Sequence, residues 1–528
     1  MNWVVLVAFG FSGAAALIYE VIWTRSLSII LGSTTYALST MLSTFMAGLA
    51  IGGFLGGRIA DRAKNLLMVF GLLELGIGIF GLVTIPLIHL MPPFYFKIYR
   101  AFHLSPSLYF FFQFLLCSGI MLIPTTLMGA TFPIVSKKVT TSFNEMGKWV
   151  GSAYSFNTFG AIIGSFSAGF ILMPLVGVRA AAITAACLNI MVAITMIMLS
   201  RARIKGTVVA LLILLFVSPL FAALQSSKEQ EWPITYYMAQ RYKEYKQLEE
   251  ERKGSLVLMD KDYMEGRVKL WRNADGYLVL QVGGKIEGTS YVDMVNTLLL
   301  AYLPIASHKN PNSFLTIGLG AGVTMHAAKQ YVRDMYLVEI NRGVLDAMSR
   351  FGPSGLLNNV KVSVNDARNY LLLTDRKFDI ISSEPSYPTE SSVGNLFTKE
   401  FYRIASSKLN PGGIYCQWLP YYQLTDDDVS MMVKTFGSTF DNVYVWAVTQ
   451  SLDLLLVGSN SPFEYTAENI IERVNMFNRT SFPLQFVLSK SPEQVRDFIR
   501  KNQEVPYNTD DKPLLEFHAA KNLLTGIL

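Results

Sequence analysis

The stretch "SFLTIGLGAGVTMHAAKQYV", Ser313 to Val332, decides the fold of the second half of the chain. Its apolar start predicts a buried strand, its three glycines predict a turn, and the residues after them predict a helix. Strand and helix patterns then alternate through three more strands, "DMYLVEIN", "VKVSVNDAR" and "FDIISSEP". This alternation predicts a doubly wound, Rossmann-like α/β domain with a mostly parallel sheet.

The composition divides the chain into a membrane half and a soluble half. The 528 residues are 51% hydrophobic and 16% charged, with a mean hydropathy of +0.34, which is too apolar for a soluble protein of this size. Long apolar runs end near residue 225, and charged residues are frequent afterwards. We therefore predict a transmembrane helical domain at 1–225, a linker helix at 226–253, a small antiparallel β-unit at 254–290 and the Rossmann-like nucleoside-binding domain at 291–528.

Seven apolar runs are long enough to cross a bilayer. They are Trp3–Trp23, Thr34–Gly56, Leu66–Met91, Leu108–Val135, Val150–Leu175, Ala180–Leu199 and Thr207–Leu224. Small residues in "GLAIGGFLGG" and "GAIIGSFSAG" share one helix face, which predicts close helix packing.

The distribution of basic residues predicts the orientation of these spans. If the N-terminus is cytoplasmic, the cytoplasmic loops contain Arg58, Arg62, Lys64, Lys137, Lys138, Lys148, Arg201, Arg203 and Lys205. The opposite loops contain only Arg25, Lys97, Arg100 and Arg179. The positive-inside rule then predicts a multi-pass protein of the plasma (inner) membrane, with the soluble domain outside the cytoplasm.

Two carboxylates, Glu20 and Glu74, fall within or near the predicted spans. Burying either of them as a charge is costly, so each is expected to face a partner or a cavity. One hypothesis is a cation or proton site. The other is a carboxylate at a helix end, paired with a residue such as Arg25.

The composition also excludes several classes of protein. The net charge of +6 comes without a cluster of basic and aromatic residues, which argues against nucleic-acid binding. The three cysteines form neither a disulfide framework nor a CxxC site. His308, His326 and His518 lack the spacing of metal ligands, so we predict no metal site.

Polar groups at successive strand ends predict a nucleoside site. Gly318, Gly320 and Gly322 form a turn in which a ligand can lie against backbone amides. Glu339 ends the second strand, where its carboxylate can accept hydrogen bonds from both ribose hydroxyls. Asp366 follows the third strand and can meet an adenine edge. Because the carboxyl ends of parallel strands share one edge, these groups together favour an adenosine site over a purely structural role.

A further carboxylate follows the fourth strand. In "FDIISSEPSYPTES", Phe378 to Ser391, a buried strand runs into a polar loop, and Glu384 lies near the strand's end. Ligands of open α/β sheets bind at this edge. Glu384 is therefore a candidate catalytic group.

The soluble half resembles the spermidine synthases, or polyamine aminopropyltransferases, over roughly Gly254 to Pro420. "NLFTKEFYRIASSKLNPGG", Asn395 to Gly413, carries the strongest likeness, and "ALIYEVIWTR" resembles the multi-span region fused to such domains in a prokaryotic subgroup. The resemblance implies decarboxylated S-adenosylmethionine or S-adenosylmethionine as co-substrate, an amine-type acceptor and a homodimer. It also implies that Glu339 holds the ribose, that Asp366 holds the adenine, and that Glu384 takes the place of the catalytic aspartate.

The sequence departs from this family at the acceptor end. Ala321 and Tyr387 stand where the family has acidic residues, and Asn296 and Thr297 replace a tyrosine and its polar neighbour. The candidate substrate-binding residues are Tyr387, Asn296, Thr297 and Glu287. Because a dicationic amine needs several nearby carboxylates, these changes predict an acceptor other than putrescine.

Two functions therefore remain open from the sequence. The first is a membrane-anchored transferase that uses Glu384 as its base. The alternative is a non-catalytic module that senses a nucleoside or polyamine and regulates a transporter-like membrane domain, which could itself carry a polyamine or nucleoside.

Overall fold

The protein is described here from a computed structural model covering residues 1–101, 106–140, 142–200, 253–291, 293–390, 393–421, 424–451, 453–480 and 482–525. Its chain forms two compact units. The helical unit comprises Met1–Gly32 and Tyr36–Tyr245, and the C-terminal unit comprises Lys246–Leu528 with Ser33–Thr35. The predicted span Thr207–Leu224 and all but the last residue of the predicted linker helix lie outside the described residues.

Six α-helices form the described part of the helical unit. They are α1 (Asn2–Leu31), α2 (Thr35–Arg62), α3 (Leu66–Ala101), α4 (Pro106–Val139), α5 (Met146–Ser167) and α6 (Met173–Leu199). A five-residue π-helical turn, Ala168–Leu172, joins α5 to α6. Within α6, Gly177 has a φ of 79° and interrupts the helical path.

The described helices supply five stretches long and apolar enough to cross a membrane, whereas the sequence predicts seven spans. One stretch, Phe143–Leu199, is 57 residues long and contains the fifth and sixth predicted spans, because the chain stays helical through the π-turn. The seventh predicted span is outside the described residues. The prediction of seven spans is therefore not confirmed.

Small residues bring helices of this unit into backbone contact, as predicted. A Cβ atom on Gly160 of α5 would lie 1.8 Å from the carbonyl oxygen of Gly10 in α1, and one on Gly164 would lie 2.1 Å from the oxygen of Ala14. A Cβ atom on Gly52 of α2 would lie 2.0 Å from the oxygen of Thr126 in α4. Larger side chains at these glycines would force the helices apart.

The C-terminal unit begins with a four-stranded antiparallel sheet. Its strands are β1 (Leu256–Tyr263), β2 (Gly266–Arg272), β3 (Leu278–Val282) and β4 (Lys285–Thr289), paired in chain order. Short turns at Asp-, Asn- and Gly-containing positions make this meander possible. Its last strand leads into the helix Met294–Ser307, in which every residue after Met294 is buried.

An eight-stranded sheet forms the centre of the unit, with the order β12-β10-β11-β9-β8-β5-β6-β7. Its strands are β5 (Ser313–Ile317), β6 (Asp334–Glu339), β7 (Val360–Val364), β8 (Phe378–Ser383), β9 (Leu409–Pro420), β10 (Asn442–Val448), β11 (Asp453–Ser459) and β12 (Phe486–Lys490). The five strands β9, β8, β5, β6 and β7 are parallel, which confirms the predicted α/β domain. The remaining three are antiparallel and were not predicted.

Helices cover the eight-stranded sheet, and two buried apolar clusters fill the space between helices and strands. The helices are Met294–Ser307, Val323–Ala328, Arg342–Phe351, Ala367–Leu373, Lys399–Ser407, Asp426–Gly437, Ala467–Phe477, Pro492–Lys501 and Leu514–Thr525. The strand order reverses between β5 and β8, because β6 lies on one side of β5 and β8 on the other. A crevice is expected at this reversal, outside the carboxyl ends of the strands.

Candidate functional site

The glycine turn after β5 has the backbone conformation that its sequence predicts. Gly318, Gly320 and Gly322 have φ values of 82°, 50° and 78°, in the left-handed region that favours glycine. A Cβ atom on Gly318 would lie 2.6 Å from the carbonyl oxygen of Glu384. The absent side chain therefore lets the ends of β5 and β8 meet.

Glu339 lies at the end of β6 and is buried. Its Oε2 accepts a hydrogen bond from the Leu319 N–H at 2.9 Å, and its Oε1 accepts one from the Asn341 N–H at 2.8 Å. Burial raises the pKa of Glu339, and the two backbone donors oppose that rise. The carboxylate is thus fixed against the glycine turn, and each oxygen keeps a lone pair for a further donor.

Asp366 follows β7 and begins the helix Ala367–Leu373. Its Oδ1 accepts a hydrogen bond from the Asn369 N–H at 2.8 Å, so the side chain caps this helix. The cap fixes the direction of the carboxylate, which lines the same cavity as Glu339. Capping and ligand binding are compatible because a carboxylate has two oxygens.

Glu384 follows β8 directly and is half-buried. The Thr324 hydroxyl lies 3.1 Å from its Oε2 and 2.8 Å from the carbonyl oxygen of Thr297. Burial raises the pKa of Glu384 to about 8, with smaller contributions from Asp293, Asp453 and Glu287, while Thr324 opposes the rise. A carboxylate in these surroundings is a stronger base than an ordinary one.

Asp453, at the start of β11, is a second perturbed carboxyl group that sequence reasoning missed. It is 2% exposed, and its Oδ2 accepts a hydrogen bond from the Asn296 side-chain amide. Ser451 donates to the Oδ1 of Asn296 at 2.7 Å. Burial raises the pKa of Asp453 to about 7. The only sequence signal was an acidic residue opening the apolar run "DLLLVGS".

Lys285 is a buried cation beside these carboxylates, and sequence reasoning missed it as well. It opens β4 and is 3% exposed. Its Nζ lies 3.2 Å from Oε2 of Glu287, contacts the Ser386 hydroxyl, and lies 3.5 Å from the ring centroid of Tyr387. Ser386 donates to Oε1 of Glu287 at 2.9 Å. Burial raises the pKa of Glu287, and Lys285 opposes that rise.

One cavity of about 560 Å³ brings most of the predicted site residues together. Its lining includes Gly318, Gly320, Glu339, Asp366, Glu384, Glu287, Tyr387 and Asn296, and also Asp293, Lys285 and Asp453. Thr297 is the exception among the predicted substrate-binding residues. Its hydroxyl donates to the carbonyl oxygen of Asp293 at 2.8 Å within its own helix, because a threonine in a helix readily bonds back to the preceding turn.

The sheet and the cavity define an α/β domain with a ligand cavity at the carboxyl ends of its parallel strands. Residues 294–455 match the family described as the spermine/spermidine synthase domain. Over these residues the C-terminal unit is therefore spermidine synthase-like.

Three known proteins are similar to parts of this chain. A spermidine synthase of Dictyostelium discoideum is 27% identical over 171 residues, which are 31% of this chain and 60% of that protein. A polyamine aminopropyltransferase of Oceanobacillus iheyensis is 21% identical over 462 residues, 84% of this chain and 79% of that protein. A crystal structure of spermidine synthase in complex with the transition-state analogue AdoDATO has 21% identity, covers 50% of this chain and 85% of its own, and gives a TM-score of 0.37.

The match to the Oceanobacillus protein includes the helical unit. Its 462 aligned residues exceed the 283 residues of Lys246–Leu528, so the alignment continues into the N-terminal helices. The Dictyostelium match, by contrast, spans less than two thirds of that relative.

Proposed function

We propose that the C-terminal unit transfers an aminopropyl or related group from decarboxylated S-adenosylmethionine, or S-adenosylmethionine, to an amine, with Glu384 as general base. The observation that carries the proposal is the surroundings of Glu384. It follows β8 in the same cavity as Glu339 and Asp366, and its pKa is raised to about 8. A base near neutrality suits the removal of a proton from an ammonium group.

The transfer step balances with the residues of this cavity. The neutral amine nitrogen attacks the carbon next to the sulfonium, a C–N bond forms, and the C–S bond breaks with both electrons going to sulfur. Methylthioadenosine leaves, and the proton of the attacking nitrogen passes to Glu384. The family uses decarboxylated S-adenosylmethionine as co-substrate. S-adenosylmethionine would give the same leaving group and a transferred chain that retains its carboxylate.

The nucleoside end of the proposed site is built from the glycine turn, Glu339 and Asp366. The turn offers backbone amides with no side chains in front of them. Glu339 is held by two backbone donors, so its remaining lone pairs have a fixed direction toward a ribose. Asp366, held as a helix cap, would accept from the adenine amino group.

The acceptor end contains both signs of charge. The charges of Asp293 and Asp453 raise the pKa of Glu384. These two carboxylates are therefore also available to an ammonium ion, in addition to Glu384 and Glu287. However, the Lys285 ammonium lies over the Tyr387 ring, at the position where the resemblance implies an acidic residue. We therefore propose an amine that carries one positive charge at the attacking end and a neutral or anionic far end, and not putrescine.

Binding and turnover experiments on the purified full-length chain test this function. S-adenosylmethionine, its decarboxylated form and methylthioadenosine would be titrated by calorimetry, and failure of all three to bind would refute the nucleoside site. Release of methylthioadenosine would then be measured with putrescine, butylamine and 4-aminobutyrate as acceptors. We expect either monoamine to exceed putrescine, and the reverse order would refute the acceptor proposal. Binding without turnover of any amine would favour the sensing module.

We further propose that the helical unit spans the plasma (inner) membrane and that the C-terminal unit lies outside the cytoplasm. The five apolar helices and the distribution of basic residues support this location. Cys416 is fully buried, so an exposed reporter such as Lys309→Cys is needed. An impermeant thiol reagent should label this variant in intact cells and leave the unmodified chain unlabelled. Labelling only after lysis would place the unit in the cytoplasm. A homodimer, implied by the resemblance, can be tested on the same preparation by light scattering.

A further inference from the structure

Three helices of the helical unit enclose a polar cluster that the proposed transferase does not use. Glu74 of α3 is 0% exposed, Ser12 of α1 is 4% exposed and Asn189 of α6 is 1% exposed. Ser12 Oγ donates to Oε1 of Glu74 at 2.5 Å, and the Asn189 amide donates to Oε2 at 2.7 Å. Glu74 therefore lies in the middle of the unit and not at a helix end.

No lysine or arginine in the described parts of the chain forms an ion pair with Glu74. An ionised carboxylate with only two neutral donors is costly in such apolar surroundings. The carboxylate needs a positive charge, supplied either by a proton or by a bound cation.

Two observations favour the proton. Within the described residues two side chains, Ser12 and Asn189, hydrogen-bond to the carboxylate, whereas a hard metal ion takes about six or more oxygen ligands. The packing is also tight on both sides of Glu74. A Cβ atom on Gly71 would lie 2.6 Å from Ile197, and one on Gly78 would lie 2.9 Å from Ile190.

The cluster also contains the acceptor that a protonated Glu74 requires. Within the described residues, the Oδ1 atom of Asn189 is buried without a hydrogen-bond partner. Rotation of the amide by half a turn brings this oxygen to Glu74 in place of the nitrogen. An ionised Glu74 is then bonded by the amide N–H, and a neutral Glu74 donates its proton to the amide oxygen.

We propose that Glu74, with Ser12 and Asn189, is a proton-binding site of the helical unit. Uptake of one proton converts the carboxylate to the neutral acid and rotates the Asn189 amide. Release reverses both changes. The site is independent of the proposed transferase chemistry.

Infrared spectroscopy of the purified full-length chain tests this proposal. A protonated carboxyl group has a carbonyl stretch that carboxylates and amides lack. At neutral pH Glu384, whose pKa is raised to about 8, also contributes to such a band, so Glu74 must be read from the difference between the wild type and Glu74→Gln. We expect Glu74→Gln to remove the intensity of about one carboxyl group per chain, which the control Glu20→Gln leaves in place. This difference band should shift in heavy water and disappear as the pH is raised.

Two results would overturn the proposal. One is a neutral-pH spectrum that Glu74→Gln leaves unchanged, which would mean that Glu74 is ionised. The other is a band that neither shifts in heavy water nor titrates, which would make Glu74 a permanent structural acid. If Glu74→Gln does not fold, Ser12→Ala and Asn189→Leu provide the test, because each removes one hydrogen bond to the carboxyl group and should move the frequency of the same band.

Discussion

The pH dependence of turnover gives a quantitative test of Glu384 as the base. Burial raises its pKa from the ordinary 4.5 to about 8. Only the ionised form can accept a proton. Glu384 is therefore ionised in about one tenth of the free enzyme at pH 7 and in about nine tenths at pH 9. We expect kcat/KM to rise about tenfold over this range on account of Glu384 alone.

The acceptor amine also loses a proton as the pH rises, so its contribution must be separated. Release of methylthioadenosine would be followed from pH 5 to pH 10 for the wild type and for Glu384→Gln, whose residual rate carries only the titration of the amine. The ratio of the two rates should rise with a midpoint near pH 8 and then level off. A ratio that is constant from pH 6 to pH 9, or one with its midpoint near 4.5, would refute the assignment of Glu384 as a base with a raised pKa.

Four further predictions follow from the same cavity. Asp453→Asn removes a charge that raises the pKa of Glu384, so the midpoint of the pH profile should fall by about 1; an unchanged midpoint would show that Asp453 does not act on Glu384. Glu384→Gln should unfold at a higher temperature than the wild type at pH 9, by about 3 °C or more, and by less at pH 5. The reason is that a group whose folded pKa is raised stabilises the fold below its unfolded pKa and loses that contribution as the pH rises through the folded pKa. If calorimetric scans gave the same difference in unfolding temperature between the two proteins at pH 5 and pH 9, this reasoning would be contradicted. Glu339→Ala should abolish methylthioadenosine binding, whereas Glu339→Gln, which keeps an acceptor oxygen, should weaken it about tenfold or more in titration calorimetry; full affinity in both would remove Glu339 from the site. Lys285→Gln removes the cation over Tyr387 and should raise kcat/KM for putrescine relative to butylamine; an unchanged ratio would show that Lys285 does not select the acceptor.

The part of the cavity proposed to hold the nucleoside could be placed from sequence because its signals are local. Gly318, Gly320 and Gly322 follow a strand directly, and Glu339 and Asp366 each lie at the end of the next strand in the chain. In a parallel sheet, residues at consecutive carboxyl ends meet at one edge, so their order along the chain is enough to place them together. The α/β fold was predictable for the same reason.

The part of the cavity proposed to hold the acceptor could not be predicted because it depends on pairing between distant segments. Strand β11 pairs antiparallel with β9, and this pairing places Asp453 opposite Pro420. Asp453 reaches the cavity because of this pairing. Lys285 reaches it from the separate four-stranded sheet. Neither residue lies at the end of a parallel strand, and nothing in the alternating pattern indicates the antiparallel strands that follow β9.

The number of long apolar helices was hard to predict for a different reason. Hydropathy reports whether a segment is apolar, but not where one helix ends and the next begins. The chain continues from α5 into α6 through a π-turn, and only Gly177 interrupts the helical path.

The burial of the helix Met294–Ser307 has a consequence for motion. Every residue after Met294 is shielded from water, and the Ser382 hydroxyl of β8 donates to the carbonyl oxygen of Leu300 at 2.8 Å. Amide protons in such an element exchange with solvent only through large-scale opening, so they should be among the slowest to exchange in the unit. Asn296 belongs to this slow-exchanging core, whereas Tyr387 lies on a loop outside the regular elements. Any opening that admits an acceptor is therefore expected on the Tyr387 side, with the Asn296 side as the stationary wall.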